Sequence, residues 1–127
     1  MAAPNDAVAH YNLGCVLTSS SKIGDAELHF LIAAAIDPSF AEASFNAAHI
    51  RRLKGDDAGE ARFLEQALEA DPDYIDALVC LARWHIARDA YTEVGRLLER
   101  IERVGTTTEH AEFVLKASLL CRLANSA

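Results

Sequence analysis

Five histidines, three cysteines and a run of three serines are the groups with which this sequence would do chemistry, and their spacing argues against most of it. His10, His29, His49, His85 and His110 are scattered, and His-Glu-x-x-His is absent. His110 and Glu112 lack the further ligands of any metal signature, so neither a metal site nor a cofactor is expected. Ser19, Ser20 and Ser21 cluster in what reads as a turn, and no nucleophile and base recur at a useful spacing. Cys15, Cys80 and Cys121 are odd in number and free of Cys-x-x-Cys spacing. Neither a disulfide framework nor a zinc site follows; they read as small buried or groove-facing thiols in a reducing compartment. Gly55 and Gly105 suit helix ends better than a phosphate loop. No catalytic residues are assigned, and the chain reads as a non-enzyme. One polar pair remains: Asn12 and Asn46 stand 34 residues apart, and an amide both donates to and accepts from an extended backbone.

That spacing belongs to the whole chain. Asp37-Pro38 and Asp71-Pro72 stand at the same 34-residue offset, which also aligns Leu13 with Ala47 and Leu81, Gly14 with Ala48 and Ala82, Phe30 with Leu64 and Leu98, and Ala33 with Ala67. A fixed period of this length marks stacked supersecondary units. Apolar residues at helical spacing predict helices near 7–19, 22–36, 41–54, 58–70, 75–88, 91–104 and 108–124, with very short turns that force antiparallel packing. Capping-box spacing is read at Ser39 with Glu42, Asp57 with Glu60 and Thr106 with Glu109. Asp6 and Asp73 read as further caps, and Pro38 and Pro72 fall in turns where a missing N–H breaks no helical bond. The small set Gly14, Ala48 and Ala82 marks where paired helices come close, with Ala26, Ala33 and Ala67 serving the facing helices.

Composition sets the class. At 127 residues, 51% hydrophobic and 24% charged, the chain has enough apolar side chain for one folded domain rather than a disordered one. Its net charge of −7 repels a phosphate backbone, and the basic residues do not cluster, so nucleic acid is not an expected partner. The N-terminal Met-Ala-Ala-Pro-Asn-Asp has no leader character. The longest apolar stretch, near Phe30 to Ile36, is too short for a bilayer. A cytoplasmic protein without membrane insertion is the expectation.

The sequence resembles the tetratricopeptide repeat family. The first unit carries "YNLGCVL", "GDAELHF" and "AAAIDP", and the second "SFNAAHI" and "EQALEADP". The third keeps Leu78, Leu81, Ala82 and Leu98 but has Ile101 for a small residue and Thr106 where proline recurs. The resemblance implies an all-α right-handed superhelical solenoid of antiparallel helix pairs. It divides the single domain 1–127 into repeats 7–40, 41–74 and 75–108, followed by a capping helix over 109–124. Lys116 takes the place of Gly14, Ala48 and Ala82, and Glu112 with Lys116 suits a solvated cap face. Leu119, Leu120 and Leu123 leave the cap's end apolar, as if another chain covers it or the chain continues; weak self-association through this helix is one expectation.

In this family the first helix of each pair lines a concave groove. The resemblance therefore implies a peptide-binding surface of Tyr11, Asn12, Cys15, Phe45, Asn46, His49, Arg52, Val79 and Arg83, with Val8, Thr18, Glu42, Asp76, Cys80 and Ala87 beside them and His110, Phe113 and Val114 continuing it. Glu42 and Asp76 read first as helix-start acids, Tyr11 and Phe45 as platforms or packing, and Trp84 as core. The basic clamp with which chaperone-binding members hold an acidic terminus is missing, since Val8, Glu42, Asp76 and Cys80 occupy its places. The implied function is a scaffold binding an extended or helical segment of another protein. The alternatives are a secretion-type chaperone for an export substrate and an N-terminal targeting domain of a larger enzyme such as a glycosyltransferase.

Overall fold

The computed structural model describes residues Asp6 to Ser126; the amino-terminal reading of Met1 to Asn5 and the final Ala127 lie outside the described residues. Every regular element described is a helix: α1 (Ala7–Ser19), α2 (Ile23–Ile36), α3 (Ala41–Leu53), α4 (Asp57–Ala70), α5 (Ile75–Ile86), α6 (Tyr91–Val104) and α7 (Thr108–Asn125). Packing divides the chain into two compact units, Met1–Pro72 and Asp73–Ala127. The first holds α1 to α4, packed α1 on α2, α2 on α3 and α3 on α4; the second holds α5 to α7.

The small residues sit where the period puts them. Gly14, Ala48 and Ala82 are all buried. A Cβ added to Gly14 would lie 2.7 Å from Cε1 of Phe30, whose ring is itself buried, so only a glycine admits that ring. Around this contact the first unit assembles Ala26 and Ala33 of α2, Ala47 and Ile50 of α3, and Phe63, Leu64 and Ala67 of α4. In the second unit Leu78, Val79 and Ala82 pack with Val94, Leu97 and Ile101, and α7 contributes Ala117.

A buried carboxylate ties α2 to α3. Glu27 is 7% exposed and receives Arg51 at 2.6 Å and Lys54 at 3.2 Å, while Arg51 also reaches Asp56 at 3.4 Å. The Glu27 Oε2 and Arg51 Nε atoms lack hydrogen-bond alignment despite their closeness, so this contact is mainly Coulombic.

The turns correct several cap assignments. Asp6 caps α1, accepting from the Ala9 N–H at 3.2 Å. Ser39 does not cap α3: its N–H and hydroxyl both donate to Asp37 Oδ1, at 3.0 and 2.6 Å, so the charged acceptor has claimed it and Phe40 takes the cap position. The α4 cap is Asp56 rather than Asp57, accepting from Gly59 N at 2.9 Å. Thr107 replaces Thr106 before α7, with no side-chain capping bond, and Tyr74 replaces Asp73 before α5. Asp37 and Asp71 close α2 and α4 in extended conformation, φ −129° and −141°, as a following proline demands.

A second periodic feature emerges at the turn inside each pair. Ser21, Gly55 and Asp89 have φ of 63°, 75° and 55° and are spaced at the 34-residue interval. Each ends the first helix of its pair, and only the middle unit uses glycine there, the residue for which this conformation is unstrained.

Three stability measurements check these contacts and turns. Gly14→Ala should lower the unfolding free energy by about 1–3 kcal/mol in urea titration through overpacking. Gly24→Ala, with open space around the added methyl, should be neutral or stabilising by up to about 1 kcal/mol. Asp89→Gly should raise stability by about 1 kcal/mol by relieving the left-handed backbone; unchanged stability would show that the Asp89 carboxylate, which accepts from the Tyr91 hydroxyl at 3.1 Å, offsets the strain.

Candidate functional site

In the first unit, α1 and α3 bring together most of the residues singled out in the sequence. Asn46 on α3 donates from Nδ2 to the Cys15 sulfur on α1 at 3.8 Å, and the Tyr11 hydroxyl interacts with both the Cys15 thiol and the Asn46 amide. Tyr11 also packs its ring against Phe40 and Phe30, at centroid separations of 4.9 and 5.8 Å. It is thus both packing and polar rim. Burial, then the neighbouring thiol, raises the Tyr11 pKa above its ordinary value, while the Asn46 hydrogen bond opposes the shift. Phe45 is half-buried, and Asn12 is exposed. The two asparagines therefore differ despite their equivalent register.

Between these helices lies a pocket of about 170 Å³ lined by Cys15, Thr18, Phe30, Asn46, His49 and Ile50. Phe30 and Ile50 make it apolar. Both belong to the core, and no spacing argument singled them out for a site. Their signal was indirect: Gly14, which admits the Phe30 ring, stands between Tyr11 and the pocket residues Cys15 and Thr18 on α1. The Thr18 hydroxyl is engaged with the Gly14 carbonyl at 2.8 Å, as helical threonines often are.

His49 and Arg52 form the basic end of this face. Arg52 Nη2 lies 3.0 Å from His49 Nδ1. A guanidinium only donates, so Nδ1 is the acceptor and the ring proton sits on Nε2. Partial burial, then the Arg52 charge, lowers the His49 pKa below its ordinary value of 6.5. At neutral pH the imidazole is uncharged and offers an N–H donor.

The second unit treats its predicted residues differently. Val79 is 1% exposed and belongs to the core, so it lines no surface; it sits on the face of α5 that packs inward with Leu78 and Ala82. Arg83 is exposed, with its guanidinium 4.9 Å from the Phe113 ring centroid, and His110 Nε2 donates to Asp76 Oδ1 at 2.7 Å. Asp76 is thus a partner of α7 besides standing in the first turn of α5. Trp84 is half-buried rather than core: the Arg88 guanidinium lies 3.5 Å from its ring centroid and His85 meets it edge-on. On α7, Lys116 pairs with Glu112 at 2.9 Å, drawing the carboxyl below its usual range. Leu115, Leu119, Leu120 and Leu123 are exposed.

Among the described residues no group of three or more His, Cys, Asp or Glu side chains is placed to hold a metal ion, and no helix is long and apolar enough to cross a membrane.

No protein-family profile matches the sequence, and comparison with curated protein sequences gives no significant match. Solved structures do match in shape. The Sgt2 tetratricopeptide-repeat domain from Aspergillus fumigatus is 17% identical with a TM-score of 0.77, over 98% of this chain and 84% of that one. The TPR2B domain of yeast Sti1, in its pHsp70 complex, is 16% identical with a TM-score of 0.76, over 93% and 97%. The Yersinia enterocolitica type III secretion chaperone SycD, in complex with a peptide of the translocator YopD, is 15% identical with a TM-score of 0.73, over 91% and 88%.

The electrostatics of the basic end are open to direct titration. The His49 resonance should titrate below 6.5 by NMR, and Arg52→Ala should move it upward by removing the adjacent charge. Because a depressed histidine pKa means that protons bind the unfolded chain more tightly, the stability linked to His49 is complete above pH 6.5 and declines as pH falls through its folded pKa. His49→Gln should remove that decline.

Proposed function

We propose that this chain, which has the tetratricopeptide-repeat fold seen in the matching structures, is a non-catalytic protein-interaction module. Its first-helix surface would hold a peptide segment of a partner. The observation that carries the reading is the pocket beside Asn46: an amide at the rim of an apolar depression suits a ligand that brings both a backbone and a side chain. Tyr11, Asn12, Cys15, Phe45, Asn46, His49 and Arg52 are the contact residues proposed in the first unit, and Arg83 in the second. The Sgt2, Sti1 and SycD structures support the class of function without naming a partner for this chain.

Absence of a basic clamp separates this surface from one built for a free acidic terminus. Val8 and Glu42 are exposed where lysines or arginines would be required, and Cys80 is half-buried. An internal segment of the partner is the better fit. Similarity in extent to the SycD chain and a net charge of −7 also favour a second reading, a chaperone for an export substrate. That role predicts a co-expressed partner insoluble without this protein.

Affinity capture from the native lysate tests the site. Wild-type protein and a control substituted on an exposed α4 position, Gln66→Ala, should retain the same partner. The double variant Asn12→Ala with Asn46→Ala should lose it, at about 0.5–1.5 kcal/mol for each direct hydrogen bond, with helical content unchanged. Retention by the double variant together with loss in the α4 control would place the docking surface on the second helices instead.

A further inference from the structure

His10 on α1 and His29 on α2 form a pair that their spacing along the chain does not show. We infer that the two imidazoles are a two-point binding site for a divalent late transition-metal ion, of the nickel, copper and zinc class, which would clip α1 to α2. Their Nδ1 atoms lie 3.0 Å apart although the residues are 19 positions apart in sequence, and the ring planes are inclined by 18°. The close approach of the two helices makes this meeting possible. His10 stands one turn before Gly14, and His29 adjoins the Phe30 ring that the glycine admits.

Distance is the first support. Imidazole nitrogen binds zinc at about 2.0–2.1 Å, and two nitrogens held at that length with an angle of about 90–110° at the metal stand about 2.8–3.4 Å apart. The observed separation falls in that range, so the two backbones are already placed for a chelate and only the rings need to turn about their own side-chain bonds. Without a metal the same distance suits one hydrogen bond between neutral rings, in which one Nδ1–H donates and the other Nδ1 accepts. Ligation needs a lone pair on both Nδ1 atoms. The donor ring therefore passes its proton to Nε2, both rings stay neutral, and the pair neither gains nor loses a proton.

Ligand chemistry selects the ion. Neutral imidazole suits nickel, copper and zinc, whereas calcium and magnesium require oxygen ligands. Both histidines are half-buried, which leaves an open side for water. Among the described residues no third ligating side chain joins the pair, so water completes the coordination shell. An acid stands four residues before each histidine, Asp6 before His10 and Asp25 before His29. These carboxylates do not ligate, but their charge one turn away favours a cation at the pair. A bound ion would hold together the two helices whose contact the first unit is built around.

Nickel(II) titrated into the whole chain tests the site, followed by NMR of the histidine rings and by calorimetry. The paramagnetic ion should broaden the His10 and His29 ring resonances at substoichiometric metal, before those of His49, His85 and His110, and calorimetry should show one site per chain. His10→Gln and His29→Gln should each weaken that site at least about tenfold, the loss of one of two ligands, while His85→Gln leaves it unchanged. Saturating nickel should raise the melting temperature of the wild-type protein by about 2–6 °C, and that of His10→Gln by less. Because the broadening is read on the wild-type protein, the result stands even where a variant fails to fold. No uptake of nickel, broadening that begins at another histidine or at a cysteine, or a site of full strength in the His10→Gln, His29→Gln double variant would overturn the inference.

Discussion

Phe30 lies against Gly14 with no room for a methyl group between them, and much of the first unit depends on this contact. Because α1 presents bare backbone there, the aromatic ring of α2 can reach deep enough to be almost fully buried. The same ring also walls the pocket whose other α1 residues, Cys15 and Thr18, stand one and four positions beyond the glycine. One close helix approach thus serves both packing and the proposed binding surface. Ala48 and Ala82 hold the corresponding positions in α3 and α5 with a single methyl each.

The pocket needs α3 as well as α1, and here the buried Glu27 cluster is the second constraint. Drawing Arg51 of α3 and Lys54 at its C-cap onto α2 fixes the end of α3, where Arg51 stands one position beyond Ile50 and two beyond His49, which line the pocket. A buried carboxylate with two cations is costly to break, since either side alone would be left uncompensated. It acts as a positional lock whose loss would loosen the wall on which Asn46 stands. The amide itself is steadied by Cys15 and Tyr11, so its orientation is set before any ligand arrives.

The period made the helices and the small-residue contacts legible, because both depend on spacing that a 34-residue offset displays directly. Local chemistry was harder to read. The capping assignment at Ser39 failed because Asp37, two residues earlier, offers a charged acceptor that outcompetes the helix start. The left-handed turn at Ser21 and Asp89 was hidden because neither is glycine; only Gly55 shows the requirement in its residue type. Val79 was misplaced because α5 is buried over more of its circumference than a two-faced helix pattern suggests. Trp84 was assigned to the core as an aromatic residue at helical spacing, one residue off the groove, whereas Arg88 one turn later covers its ring. The pocket floor escaped for a different reason: Phe30 and Ile50 look like core residues, and they are, so only three-dimensional packing shows that they lie behind a surface depression.

The most direct test of the link between the close helix contact and binding is an NMR map of the partner segment on the assigned protein. The account predicts that the largest shifts fall on the Asn46 side-chain amide, the His49 imidazole and the backbone of α1 around Gly14 and Cys15, with α4 unperturbed. Shifts confined to α2 and α4, with the Asn46 amide unmoved at saturation, would contradict it.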